Sequence, residues 1–184
     1  QPAGKLMKKP KTLLRDIFGF DEFRPGQREI IDAVSNKKNV LAIMPTGGGK
    51  SLCFQLPALM SEGLTVVISP LIALMRDQVR GLQAAGVAAG ALTSGNTEDE
   101  TDAVFSEIYA GTLKILYVAP ERLASSAMQS ALFRFNVTSL VVDEAHCISQ
   151  WGHDFRPDYL RIGELRKSLG VPLAAFTATA DKET

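Results

Sequence analysis

A glycine-rich segment in the first third of the chain carries the residue types that hold a phosphate group. Its members are Pro45, Thr46, Gly47, Gly48, Gly49, Lys50 and Ser51. Consecutive glycines let backbone N–H groups point at phosphate oxygens, a lysine can reach the terminal phosphates, and a serine hydroxyl can coordinate Mg²⁺. An apolar run at 40–43 precedes the segment and a helical pattern follows it, so the order strand, loop, helix predicts a phosphate-binding loop.

The match to the usual pattern of such loops is incomplete. The pattern G-x-x-x-x-G-K-[ST] has glycine at the position of Met44. The alternative interpretation is a glycine-rich turn with an exposed lysine. An acidic group at the end of a second strand would favour the phosphate loop, because such sites also need a carboxylate for the metal.

That acidic group follows another apolar run, at 140–142. Asp143 and Glu144 are adjacent carboxylates at a predicted strand end, and His146 comes two residues later. We assign Asp143 to the metal and Glu144 to the attacking water. Together with Lys50, these three residues form the predicted catalytic group. The alternative is an acidic turn that caps a helix.

The composition is that of a single globular domain with no general preference for polyanions. The chain has 184 residues, of which 46% are hydrophobic, and its 20 basic residues balance its 20 acidic ones. The two cysteines, Cys53 and Cys147, lack metal-ligand spacing, and without a recognisable secretory leader we expect a cytoplasmic protein. The longest apolar stretch, 64–75, is shorter than the ~18 residues of a membrane span. Residues 1–6 are expected to be an expression remnant or a disordered tail, and 7–184 a single domain.

Short apolar runs alternate with helical patterns along the whole chain. The runs are 40–43, 65–69, 88–92, 114–118, 140–142 and 173–177. Leu71, Leu74 and Leu82 keep one face apolar at helical period, and Thr97 with Glu100 forms a capping-box pattern. Alternating strands and helices predict an α/β fold: a parallel sheet between two helix layers, with its ligand site at the carboxyl ends of the strands.

Taken together, the motifs resemble those of superfamily-two DEAH helicases, and within them the RecQ family. Phe20 and the run Phe23, Arg24, Pro25, Gly26, Gln27 are similar to the family's adenine-recognition motif. The resemblance implies that Gln27 pairs with the adenine edge, that Phe20 stacks on the ring, and that Arg24 lies in the same nucleotide site. Without it, Gln27 would be interpreted as a solvent-facing helix residue.

The segment 147–157 resembles the aromatic-rich loop that distinguishes RecQ proteins. The resemblance assigns its polar and aromatic members to nucleic-acid binding and coupling: Gln150, Trp151, His153, Phe155 and Arg156. Exposed aromatic residues can stack on bases, which is worth about 1 to 3 kcal/mol per base. The alternative is that Trp151 and Phe155 pack into a small local core.

Three further segments carry the resemblance. Residues 69–78 and 119–123 are similar to motifs that the family places along the nucleic-acid side of the lobe, although helix starts with ordinary caps are the alternative interpretation. Thr177 and Thr179, in 176–180, resemble the motif that links phosphate sensing to movement between lobes.

The resemblance implies a RecA-like P-loop domain that forms the first motor lobe of an ATP-dependent DNA helicase. Its cofactors would be ATP and Mg²⁺, and its partners single-stranded and forked DNA and a second RecA-like lobe. Kinship also implies movement from 3′ to 5′ and work in DNA repair and recombination. An RNA helicase and a non-catalytic nucleotide-gated binding module are the alternatives. Without a second lobe and its arginine finger, we expect weak turnover from these residues alone.

Overall fold

The computed structural model describes residues 9–45, 49–145 and 152–178. For 152–159 it describes the backbone alone. The helices are α1 (Pro10–Asp16), α2 (Gln27–Ser35), α3 (Leu52–Met60), α4 (Ile72–Ala84), α5 (Glu98–Ala110), α6 (Ser126–Arg134) and α7 (Gly152–Leu169). The strands are β1 (Val40–Met44), β2 (Leu64–Ile68), β3 (Ala89–Leu92), β4 (Ile115–Val118), β5 (Val137–Val142) and β6 (Leu173–Ala178). A 3₁₀ helix, Pro120–Ala124, follows β4.

The described strands form one parallel sheet in the order β1-β6-β5-β2-β4-β3. The strand that precedes the glycine-rich segment, β1, is therefore separated from the strand that precedes the two carboxylates, β5, by β6 alone. Every pairing is parallel because a helix returns the chain between successive strands. The predicted parallel α/β sheet is confirmed.

Helices cover the sheet on both faces. One apolar cluster packs the four helices α1, α2, α3 and α4 against the first face. It includes residues such as Leu14, Ile31, Leu56 and Phe176. The second cluster packs the helices α5, α6 and α7 against the opposite face. It includes residues such as Ile108, Leu132 and Leu140. Strand β2 is buried at all its positions, as expected of a central parallel strand. The predicted three-layer arrangement is confirmed.

The capping box that the sequence predicts at the start of α5 is present. The Glu100 N–H donates to the Thr97 side chain at 3.1 Å, and the Thr97 N–H donates to the Glu100 carboxylate at 3.3 Å. This reciprocal pair satisfies two of the backbone donors that every helix start leaves without partners. In the described part of the chain, no helix has the length and apolar character to cross a membrane.

Candidate nucleotide-binding site

The candidate site lies at the edge of the sheet where the strands end. Because the sheet is parallel, the chain leaves every strand at the same edge. Lys50 follows β1, Asp143 and Glu144 follow β5, and Thr177 lies near the end of β6, which runs between these strands. The fold therefore brings together groups that are far apart in the sequence.

Lys50 contacts both carboxylates directly. Its Nζ lies 3.1 Å from Asp143 Oδ1 and 2.5 Å from Glu144 Oε1. The side chain of Asp143 is 2% exposed, that of Glu144 14% and that of Lys50 15%, so the cluster is largely screened from water. We refer to these three residues as the charged cluster. Its geometry excludes the interpretation of Lys50 as an exposed lysine on a turn.

Burial and mutual attraction shift the protonation of this cluster. Burial raises the pKa of Asp143, and the nearby charge of Lys50 offsets only part of that shift. Burial alone would lower the pKa of Lys50, but the hydrogen bond to Glu144 and the charge of Asp143 raise it above its ordinary value. Lys50 is therefore firmly protonated, and Asp143 takes up a proton more readily than an exposed aspartate.

The backbone around the two carboxylates is held in an unusual conformation. Glu144 has φ of +55°, in the left-handed region that residues with a Cβ seldom adopt. Asp143 Oδ1 accepts the Glu144 N–H at 2.9 Å, while the Ala145 N–H donates to the Phe176 carbonyl of β6 at 2.8 Å. Such strain persists where surrounding contacts determine the conformation, and it is concentrated at functional sites. These bonds fix the backbone from which the Glu144 side chain projects.

The described end of the glycine-rich segment also fits a phosphate loop. Gly49 has φ of +76°, and a Cβ at this position would lie 2.1 Å from Gln27 Nε2, so a glycine is needed both for conformation and for space. Ser51 is the N-cap of α3 but its side chain makes no capping hydrogen bond. Its hydroxyl is thus not committed to the helix start. Thr46, Gly47 and Gly48 lie outside the described residues.

A pocket of about 220 Å³ adjoins the end of this loop. Its lining includes Phe18, Phe20, Arg24, Gln27, Gly49, Ser51 and Gln55. Gln27 is 2% exposed, donates from Nε2 to the Gly49 carbonyl at 3.2 Å and accepts the Arg24 N–H at 2.8 Å. The solvent-facing interpretation of Gln27 is therefore wrong. Phe20 is 53% exposed, which leaves its ring accessible beside the pocket.

Several other predicted site residues lie wholly or partly outside the part of the chain that the structure describes. His146, Gln150, Trp151 and Thr179 lie outside the described residues. The backbone at His153, Phe155 and Arg156 belongs to α7, so the prediction of a loop is wrong from Gly152 onward. Thr177 lies on β6 in register with Ile43 of β1.

A hydrogen-bonded set next to the pocket, formed by Gln55, Gln78 and Tyr117, was not predicted from the sequence. The side chain of Gln55 donates to the Tyr117 hydroxyl, which donates to the side chain of Gln78. We call this set the neutral network. A signal for it existed: Gln55 is the one amide in an otherwise apolar helix, LCFQLPALM, and a buried amide needs a partner.

The oxygen ligands available here suit Mg²⁺. Within the described residues, no set of three or more His, Cys, Asp or Glu side chains could hold a metal. Mg²⁺ does not require one, since it is usually held by one or two protein oxygens together with phosphates and water. The Ser51 hydroxyl and the Asp143 carboxylate provide such oxygens at the edge of the sheet, so the residues fit this ion.

The chain matches the DEAD/DEAH box helicase family over residues 24–184. It therefore belongs to that family. It is 48% identical over 98% of its length to the ATP-dependent DNA helicase RecQ of Haemophilus influenzae, and 47% identical over 97% to the probable ATP-dependent DNA helicase RecS of Bacillus subtilis. It is also 46% identical over 94% of its length to the ATP-dependent DNA helicase Q1 of Rattus norvegicus. The predicted resemblance to RecQ proteins is confirmed.

The chain spans about a third of these relatives: 30% of the Haemophilus protein, 36% of the Bacillus protein and 29% of the rat protein. Among solved structures, the DUF1998 helicase MrfA bound to DNA and AMPPNP matches 99% of the chain with a TM-score of 0.75. The match covers 27% of that protein at 19% sequence identity, and it supports the RecA-like fold.

Proposed function

We propose that this chain is the ATP-binding motor lobe of a RecQ-type ATP-dependent DNA helicase. The observation that carries the proposal is the contact of Lys50 with both Asp143 and Glu144 at the edge of the sheet. The family and the high identity to relatives described as ATP-dependent DNA helicases support it. A phosphate-binding lysine beside two strand-end carboxylates is the arrangement that nucleoside triphosphate hydrolysis requires.

In this proposal the nucleotide lies across the pocket and the phosphate loop. Phe20 stacks on the adenine ring, Gln27 contacts its edge, and Arg24 lines the same pocket. An amide offers a donor and an acceptor together, as the adenine edge does. The backbone of 46–49 and the N-terminus of α3 then hold the phosphates, while Ser51 and Asp143 hold Mg²⁺.

The contacts of Lys50 suggest how the site becomes ready for hydrolysis. Its ammonium group attracts phosphate oxygens as well as the carboxylates that it contacts here. When Lys50 turns to a terminal phosphate, Glu144 is released to accept a proton from the attacking water. The left-handed backbone at Glu144 sets the direction in which its side chain leaves the main chain.

The nucleic-acid side of the proposal rests on the RecQ resemblance. Gln150, Trp151, His153, Phe155 and Arg156 are proposed to contact single-stranded or forked DNA. Thr177 and Thr179 are proposed to link phosphate occupancy to a second RecA-like lobe that closes over the nucleotide. A protein that handles DNA in this way is expected in the cytoplasm, or at the nucleoid of a bacterium.

The test is an ATPase assay on the complete gene product that carries this sequence. Turnover should require Mg²⁺ and should rise when single-stranded DNA is added, whereas RNA of the same length should have a smaller effect. ATP should be preferred to GTP, because Gln27 recognises the adenine edge. Stronger stimulation by RNA would contradict the DNA assignment. Nucleotide binding without turnover, with or without nucleic acid, would favour a non-catalytic module.

A further inference from the structure

The neutral network joins three elements next to the nucleotide pocket. Gln55 of α3 donates from Nε2 to the Tyr117 hydroxyl at 2.8 Å. That hydroxyl donates to Gln78 Oε1 of α4 at 2.6 Å, and Gln55 Nε2 lies 3.5 Å from the same oxygen. Tyr117, on β4, thus bridges the helix that follows the phosphate loop and the helix that follows β2.

The network is buried where it meets the pocket and accessible where it meets α4. Tyr117 is 1% exposed and Gln55 6%, whereas Gln78 is half-buried. Gln55 also lines the pocket beside Gln27 and Ser51. Burial raises the pKa of Tyr117, and the negative charge of Asp143 raises it further, so the hydroxyl keeps the proton that it donates. One end of the network therefore lies at the nucleotide and the other on α4.

The chemistry of the network gives it two possible arrangements. A tyrosine hydroxyl has a single proton, and here that proton goes to Gln78 Oε1. If the Gln55 amide turns by half a rotation, its carbonyl oxygen faces the hydroxyl and competes with Gln78 for the same proton. A change at the pocket wall can thus weaken the hydrogen bond between Tyr117 and α4. In addition to this bond, α4 is packed through Met75, Val79 and Leu82.

We propose that Gln55, Tyr117 and Gln78 form a positioning relay that couples nucleotide occupancy to the placement of α4. The inference rests on the proposed function, and on the similarity of the segment 69–78 to a motif that the RecQ resemblance places on the nucleic-acid side. None of the three residues is assigned to chemistry. The relay acts by determining how firmly α4 is held while the pocket is empty or filled.

The first test is Tyr117→Phe in the complete gene product, since this change removes only the hydroxyl. The DNA-free ATPase rate and the Kd for nucleotide should stay within about twofold of the wild type. Stimulation by single-stranded DNA should fall about five- to tenfold, as expected for typical coupling between two sites. The matched control is Tyr109→Phe, because Tyr109 is 49% exposed and packs by its ring on Phe135. It should leave stimulation unchanged.

A double-mutant cycle with Gln78→Met tests whether the residues act as a unit. Gln78→Met alone should reduce stimulation as Tyr117→Phe does, and the double variant should be no worse than either single one. Losses that multiply, or single variants with normal stimulation, would overturn the relay. If Tyr117→Phe fails to fold, DNA stimulation of Gln78→Met alone tests the relay, because a half-buried helix position tolerates this substitution.

Hydrogen exchange separates this inference from the proposed function. In the wild type, nucleotide should alter exchange of the amides of α4, and Tyr117→Phe should abolish that response. An α4 that does not respond in the wild type, or that still responds in Tyr117→Phe, would overturn the relay whatever the ATPase result. A wild type that DNA does not stimulate but whose α4 responds through Tyr117 would reject the helicase proposal and keep the relay.

Discussion

The molecule has two buried polar groups near the same edge of the sheet, and they differ in charge. The charged cluster of Lys50, Asp143 and Glu144 places opposite charges within 3.1 Å of each other where water is largely excluded. The neutral network of Gln55, Tyr117 and Gln78 contains no formal charge and is linked by short hydrogen bonds. Burying a charge costs far more free energy than burying a neutral group with a partner.

The difference in charge leads us to expect that the two groups respond differently to mutation and to pH. The raised pKa of Asp143 shows that its ionised form is less stable in the folded protein than in water, even with Lys50 beside it. Perturbed charges of this kind are concentrated at functional sites. The neutral network, in contrast, satisfies its buried atoms without any formal charge, so its loss should cost less stability than the loss of Lys50.

Glu144→Gln should produce the largest effect, because it removes the charge that we propose accepts a proton and keeps the shape of the side chain. We expect kcat to fall about 10²- to 10⁴-fold, while ATP still binds. Turnover and nucleotide Kd in the complete gene product measure this split. Glu62→Gln, at an exposed residue just before β2, is the control and should behave as the wild type. Retained turnover in Glu144→Gln would refute the role of Glu144.

Lys50→Met should have the second largest effect, since it leaves two adjacent carboxylates without their cation. We expect a loss of about 2 to 3 kcal/mol in the free energy of unfolding at pH 8, somewhat below the range for fully buried pairs because Lys50 is partly hydrated. The loss should be smaller at pH 5.5, where Asp143, with its raised pKa, takes up a proton more easily. Urea unfolding at both pH values measures the difference.

The control for this comparison is Lys38→Met, which changes an exposed lysine and should alter neither value. An equal loss at pH 5.5 and pH 8 would show that the charge of Asp143 does not cause the instability. Lys50→Met should also weaken nucleotide binding, because its side chain cannot contact phosphate.

Asp143→Asn should stabilise the fold while it abolishes Mg²⁺-dependent turnover. A group whose pKa is raised by folding contributes stability below its ordinary pKa and loses it as the pH rises. At pH 7.5 the neutral amide avoids that loss, so we expect a melting temperature about 2 to 4 °C higher, equivalent to about 1 kcal/mol.

The gain from Asp143→Asn should vanish as the pH approaches 3.8, the ordinary pKa of an aspartate, because the wild-type side chain is then protonated too. Thermal melts from pH 7.5 to pH 3.8 measure this gain in melting temperature. The control is Asp77→Asn, which changes an aspartate that is 73% exposed and should leave the melting temperature at pH 7.5 unchanged. A lower melting temperature at pH 7.5 in Asp143→Asn would mean that the contact with Lys50 outweighs burial.

Tyr117→Phe should have the smallest effect on stability. Removal of the hydroxyl leaves the amides of Gln55 and Gln78 without their shared partner, at a cost of about 1 kcal/mol. The ring keeps its edge contact with Phe54, whose centroid is 6.5 Å away. Urea unfolding should show this loss for Tyr117→Phe and none for Tyr109→Phe. A loss as large as that of Lys50→Met would erase the distinction between the two groups.

The order of elements and the chemical types of the site were predictable from local patterns. Apolar runs that alternate with helical periods predict a parallel sheet between helices, and the glycine-rich segment and the strand-end carboxylates fall at strand ends because their neighbours form strands. The capping box at Thr97 is likewise a property of four successive residues. Each of these features depends on interactions between near neighbours.

Other features required knowledge of which strands are neighbours. The burial of Gln27 against Gly49 and the bridge from Gln55 through Tyr117 to Gln78 join residues from separate elements. A pattern within one element shows that an amide will be buried, but it does not show which residue of another element will form a hydrogen bond with it. The helical backbone from Gly152 was missed for a different reason, since glycine and proline there are typical of loops.

The sequence alone therefore determined the class of fold, the family and the residues proposed to bind phosphate and metal, because these depend on local spacing and composition. The tertiary structure decided the contact between Lys50 and carboxylates more than ninety residues away, the left-handed backbone at Glu144 and the network next to the pocket. These depend on the strand order β1-β6-β5-β2-β4-β3, which arises from packing of the whole sheet and not from any single segment.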